Sequence, residues 1–206
     1  MLCLSTAGIF DGRHDIYDDW DDLAQLSHNP RSKYMETILA ARNPRRHLVC
    51  RAGWMMRQGQ SKGKTFIQKL MSQIDAASIE LTIEDNKPGR LAYTHDFARN
   101  ETGLLDHEHR KPDNIACDGV TGRFGIAQEF MRLIGKDHSI ALTPVSSALF
   151  AVGYLTACPA SERQFMKTLD PLGCNSYRTG RFRLASILAV ITMVILTTLH
   201  VVAGYE

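Results

Sequence analysis

The sequence predicts an α/β protein, on two observations. Short apolar runs alternate with longer segments of helical periodicity from the first residues onward. The composition, 44% hydrophobic and 22% charged over 206 residues, is that of a folded globular chain able to bury one core, or one core and a small lobe. No internal repeat or low-complexity stretch interrupts the alternation.

The elements follow in order. MLCLSTAGIF (1–10) reads as a buried strand, and the acidic stretch DGRHDIYDDWDD after it as a loop. A helix is predicted over about 32–42, where Tyr34, Ile38 and Leu39 fall at helical spacing and Asn43-Pro44 ends the run. HLVCRAG (47–53) is a short apolar strand. GKTFIQKLMSQIDA (63–76) is an amphipathic helix with Phe66, Ile67, Leu70, Met71 and Ile74 on one face. IELTI (79–83) is a strand, and Asn86-Lys87-Pro88-Gly89 a turn. Residues 94–105 read as helix and NIAC (114–117) as strand. A helix capped by Thr121 runs to Gly135, with Phe124, Ala127, Met131 and Ile134 as its stripe. A strand near 139–143 comes next, and Ser146 and Ser147 open another helix.

Several function classes fall away. A formal net charge of +2 gives no footprint for nucleic-acid binding. The five cysteines, Cys3, Cys50, Cys117, Cys158 and Cys174, are odd in number and contain no Cys-x-x-Cys, so they read as reduced thiols of a cytosolic chain. Gly59 stands only three residues before Gly63-Lys64-Thr65, one short of a phosphate loop, which leaves a basic helix start. Asp15, Asp18, Asp19, Asp21 and Asp22 lack the glycine and terminal glutamate of a calcium loop and read as a solvated run. His107 and His109, two apart, do not share a helix face, and no metal site is expected. Residues 184–205 contain no Asp, Glu, Lys or Arg, and Arg178, Arg181 and Arg183 precede them. That length spans a bilayer as a helix, with the flanking arginines placing the body on the cytosolic side; the alternative is a buried C-terminal helix.

One constellation carries chemistry. STAGIFDG (5–12) is followed by RSKYMET (31–37), RAGWMM (51–56), YTHDFARN (93–100), NIACDGVTGRFGIAQEFMRLIG (114–135), TPVSS (143–147) and PASE (159–162). In order and spacing these resemble the extended short-chain dehydrogenases that reduce nucleotide-bound 4-keto-6-deoxysugars, the dTDP-4-dehydrorhamnose reductase family. Members carry a Ser-Thr-x-x-x-Phe-x-Gly strand end, then Tyr-Gly-x-Ser-Lys, then Arg-x-x-Trp. The resemblance implies the C-terminal part of a Rossmann-type fold. Residues 1–60 would be the last strands and catalytic helix of a dinucleotide domain, 61–183 mainly the substrate-binding lobe, and 184–205 a hydrophobic tail.

The implied activity is reduction of a nucleotide-activated 4-keto-6-deoxysugar by NADPH or NADH. A ketone gains a hydride at carbon and a proton at oxygen. The resemblance gives Thr6, with Ser5 beside it, the hydroxyl that bonds the carbonyl oxygen. It gives Lys33 the lysine that lowers the acid's pKa and holds the nicotinamide ribose, and it places Trp54, Lys87 and Gly89 against the sugar nucleotide. Where the family has its tyrosine this chain has Asn29, followed by Pro30; an amide has no proton to give near neutral pH. The family's Gly-x-x-Gly-x-x-Gly turn, which seats the cofactor pyrophosphate, is absent, since only four residues precede Ser5. The expectation is therefore an N-terminally truncated member whose reduction is impaired. The alternative is a non-catalytic binding subunit with a protein partner, because the regulatory beta subunit of methionine adenosyltransferase resembles the same family.

Overall fold

The computed structural model of the chain describes residues 1–24, 28–42, 47–56, 65–76, 79–117 and 119–150. Seven strands and four α-helices alternate through them: β1 (Leu2–Thr6), α1 (His28–Ala41), β2 (Leu48–Ala52), β3 (Trp54–Met56), α2 (Phe66–Asp75), β4 (Glu80–Glu84), β5 (Leu91–Tyr93), α3 (Thr94–Asp106), β6 (Pro112–Ile115), α4 (Arg123–Leu133) and β7 (Ala141–Val145). Every strand pairing is parallel. β1, β2 and β6 form one sheet in that order, with Leu2 beside Leu48 and Thr6 beside Ala52, while β3 pairs with β5 and β4 with β7. Parallel neighbours require crossover connections, and α1 makes the one between β1 and β2.

Coverage of the sheet explains its sequence. All five residues of β2 are buried, as expected for a strand with neighbours on both edges and layers on both faces. β1 differs from the expectation of a buried strand. It alternates, with Cys3 and Ser5 buried and Leu2 and Leu4 more than 40% exposed. Cys3 packs with Ala40 of α1 and Val49 of β2. Helix α1 therefore covers only the Cys3–Ser5 side, and period-two alternation turns the leucines to the other.

The main core joins β2, α2, β4, β5, α3, β6 and α4 through side chains that include Leu48, Leu70, Ile83, Leu104 and Phe130. One continuous cluster thus holds residues from both sides of position 60.

Helix termini account for the differences from the sequence reading. α1 begins at His28, four residues early, because Pro30 sits in the first turn, where a missing N–H breaks no bond. α2 starts after Thr65, whose hydroxyl accepts from the Gln68 N–H while the Gln68 side chain accepts from the Thr65 N–H, a complete capping box. α4 is capped by Gly122 with no side-chain bond, not by Thr121. Thr121 is drawn instead into an antiparallel bridge with Gly89, two backbone bonds of 3.0 Å each. Gly135, at φ +67°, follows the end of α4. Ser147–Phe150 form a 3-10 turn, and the helix expected from Ser146 onward otherwise lies outside the described residues. Two strands of three residues, β3 and β5, were not expected. The apolar run 184–205 also lies outside the described residues, among which no helix is long and apolar enough to cross a membrane.

Candidate functional site

The hydroxyl pair ends β1. Thr6, half-buried, caps the 3-10 turn Ala7–Ile9 and accepts from the Gly8 N–H at 3.2 Å. Ser5, 3% exposed, has no hydrogen-bond partner for its Oγ among the described residues. Since Ser5 shares the side of β1 that α1 covers, it is Ser5, and not Thr6, whose hydroxyl lies on the Lys33 helix's side. Asn29 is exposed in the first turn of α1, its carbonyl accepting from the Ser32 hydroxyl at 2.9 Å. Lys33 comes one turn later. Its Nζ pairs with Glu36 Oε2 at 2.8 Å, and both charges reach Cys3. Burial and Glu36 raise that thiol's pKa, against Lys33, which lowers it.

Trp54 belongs to a second group, joined to the first by β2. Thr6 is paired with Ala52, two residues before Trp54, so both lie at or just beyond the C-terminal ends of the paired strands β1 and β2, where sites in α/β sheets gather. Gly53 permits the turn into β3: a Cβ there would stand 2.4 Å from the Arg90 carbonyl oxygen. Trp54 N donates to that same carbonyl at 2.8 Å. Gly89 lies against the indole, where a Cβ would meet Cζ2 at 2.7 Å. Above the ring, at 5.2 Å from its centroid, is the guanidinium of Arg123. Arg123 Nη1 is ion-paired with Glu84 Oε2. Glu84 is buried, and its Oε1 has no hydrogen-bond partner among the described residues. Lys87 is largely buried in the same loop as Gly89. The structure thus brings Trp54 and Gly89 into contact and holds Lys87 two residues away in sequence.

Lys33 Nζ pairs with Glu36, and Asn29 presents an amide where the resemblance implies an acid.

A buried polar cluster escaped the sequence reading. Asp19, read as part of a solvated run, is 3% exposed. Its Oδ1 accepts from the Asn114 N–H at 2.7 Å, and its carbonyl accepts from Arg51 Nη1 at 2.7 Å. Tyr17 stacks on Phe10 with centroids 4.3 Å apart, and Arg51 lies 5.6 Å over Phe10. His109 Nε2 meets Asp113 Oδ2 at 2.6 Å. Burial pushes the Asp19 carboxyl up to about 7; Asp113 and Asp18 add to the shift, while the Asn114 bond and Arg51 oppose it. The available signal was Arg51, a charge inside the apolar run LVCRA, which requires a buried counter-group. Among the described residues no group of three or more His, Cys, Asp or Glu side chains could hold a metal ion.

No protein-family model and no curated protein matches the chain. Solved structures do. A dTDP-4-dehydrorhamnose reductase from Yersinia enterocolitica superposes with a TM-score of 0.77 at 22% identity, over 92% of this chain and 66% of its own. The corresponding reductase from Bacillus anthracis, in complex with NADP, gives 0.78 at 15% identity, over 93% and 64%. A UDP-N-acetylglucosamine 4-epimerase from Methanobrevibacter ruminantium, in complex with UDP-N-acetylmuramic acid, gives 0.76 at 10% identity, over 96% and 63%. The chain spans a little under two thirds of the length of these proteins. It has the α/β fold that nucleotide-sugar reductases and epimerases share.

Proposed function

We propose that this chain is a nucleotide-sugar-binding α/β module of the dTDP-4-dehydrorhamnose reductase type, whose own reduction of a 4-keto-6-deoxysugar is impaired. The observation that supports it best is the pairing of Thr6 with Ala52, two residues before Trp54, whose indole packs on Gly89. Trp54, Gly89 and Lys87 would receive the sugar nucleotide, and Ser5 or Thr6 the carbonyl oxygen. Lys33 would take the family lysine's place, with NADPH or NADH the reductant that the resemblance implies. Impairment rests on Asn29, an exposed amide where the acid is needed. The test is turnover of a dTDP-4-keto-6-deoxysugar with NADPH, beside direct measurement of sugar-nucleotide binding. Binding with little or no turnover supports the proposal. Turnover at the rate of a complete reductase, or no binding, overturns it.

A second reading, a non-catalytic subunit serving a protein partner, is favoured by the engagement of Lys33 with Glu36. Co-purification with an enzyme whose activity the chain alters would select it. In either reading the run 184–205 would hold a cytosolic body at a membrane; if full-length chain and a version ending at Arg183 are both recovered in the soluble fraction after carbonate washing, it does not.

A further inference from the structure

We propose that the loop after β1 is a proton-operated latch: residues 11–22 stay docked on β2 and β6 while the Asp19 carboxyl is protonated, and are released when it ionises. The latch is independent of the nucleotide-sugar reading. Hydrogen bonds within the loop make it a body of its own. Tyr17 donates to Asp11 Oδ1 at 2.6 Å and accepts from the His14 N–H at 3.0 Å, and the Asp18 N–H donates to Asp21. Leaving the sheet breaks none of these. The hold on the sheet gathers instead at Tyr17 and Asp19. The Asn114 N–H of β6 donates to Asp19 Oδ1, the Asn114 side chain donates to the Tyr17 carbonyl at 3.4 Å, and Arg51 of β2 donates to the Asp19 carbonyl.

Asp19 decides the state because its carboxyl is buried among charges that oppose one another. Arg51, itself buried, favours the anion, although the bond it makes runs to the Asp19 backbone carbonyl. Against the anion stand Asp113 of β6, which is buried and paired with His109, and Asp18 on the loop itself. Further out, Asp21 accepts from the Asp18 N–H, and Lys111 lies over the exposed ring of Trp20 at 5.7 Å. A carboxylate taken out of water is costly, and it escapes that cost by keeping its proton or by moving into solvent. Burial accordingly holds the docked Asp19 carboxyl at about 7. Released into water, the same group returns to about 4. Docking is therefore strongest below the released value and is lost as pH rises through the docked one. Opening frees the chain that leads from Thr6 toward α1, and it uncovers the Asn114 N–H on the outer edge of β6.

The experiment is amide hydrogen exchange of the full chain at pH 5, 6, 7 and 8, each rate divided by the intrinsic chemical rate at that pH. Peptides covering residues 14–22 and Asn114 report the latch, and one around Phe130 in α4 reports global unfolding. The loop and Asn114 are expected to be less protected than α4 at every pH, because they open locally. Their protection should fall about fifty- to hundredfold from pH 5 to pH 8, steeply at first and levelling above pH 7. Asp19→Asn keeps an oxygen for the Asn114 N–H and should abolish that fall. If Asp19→Asn does not fold, the unaltered chain decides alone through the levelling above pH 7. Loop protection equal to that of α4 would show that the loop leaves only when the whole fold does, and would overturn the latch. Protection that does not change with pH, or that falls equally in Asp19→Asn, would overturn it too.

Discussion

The carboxylate of Asp19 accepts a 2.7 Å hydrogen bond from the backbone N–H of Asn114, 95 residues further along the chain. Together with the bond from Arg51 to the Asp19 carbonyl, it fastens the loop between β1 and α1 onto β2 and β6. That loop connects the Ser5–Thr6 hydroxyls to Asn29 and Lys33, so its hold sets how α1 meets the end of β1.

Burial raises the Asp19 carboxyl to about 7, far above the unfolded range near 4. A carboxyl whose folded pKa is raised stabilises the fold fully below its unfolded pKa, and that contribution is lost as pH rises through the folded value. Stability is therefore expected to fall between pH 5 and pH 8 by about 2–3 kcal/mol from this group. Asp19→Asn should flatten the fall, because the amide oxygen still accepts from Asn114 and carries no charge. Urea melts at the two pH values check this; an equal fall in both proteins would assign the pH dependence to other groups.

Gly89→Ala should destabilise the fold. The added Cβ would lie 2.7 Å from Trp54 Cζ2, too close for two carbons, on an indole that packs against the main core. The expected cost is about 1–3 kcal/mol, the range for forcing an extra carbon into a packed site. Thermal unfolding measures it, and a shifted Trp54 emission should accompany the loss. An unchanged midpoint would mean that the loop moves freely.

Phe130, fully buried in α4, belongs to the core cluster that joins β2, α2, β4, β5, α3, β6 and α4. Phe130→Ala should cost about 3–5 kcal/mol in denaturant melts. A loss below about 1 kcal/mol would show that the site collapses around the smaller side chain.

Asn29→Tyr should raise any residual ketone reduction, since a phenol restores the missing proton donor one turn from Lys33. General-acid assistance is worth about 10²–10⁴-fold where geometry is right. Steady-state rates with NADPH and a dTDP-4-keto-6-deoxysugar test it. Equal rates before and after the substitution would show that another group supplies the proton.

How much of this was legible differs by element. α2 was readable because its apolar stripe, Phe66, Ile67, Leu70, Met71 and Ile74, coincides with a Thr65–Gln68 capping box. β2 was readable as a short apolar run interrupted only by Arg51. The three-residue strands β3 and β5 were not, because so short a segment has no period to detect and is set by pairing between Trp54 and Leu91. The exposure of Leu2 and Leu4 depends on which neighbours β1 has, which no local pattern records. Of the proposed site, Ser5, Thr6, Lys33, Trp54 and Gly89 were named only through the family resemblance of the motifs that contain them. Arg123 and Glu84 could not: they meet only because the loop after β4 is bridged to the start of α4. Asp19 was misread because five nearby aspartates look alike in sequence, and only the fold selects the one that reaches Asn114.

Binding of a dTDP-sugar by the full 206-residue chain tests the central claim most directly. Isothermal titration with dTDP-rhamnose, for the unaltered chain and for Trp54→Ala, is predicted to show saturable binding at one site, weakened about tenfold or more by loss of the indole. A folded chain that takes up no dTDP-rhamnose at millimolar concentration, or one whose binding is the same after Trp54→Ala, would contradict a nucleotide-sugar site around Trp54 and the C-terminal ends of β1 and β2.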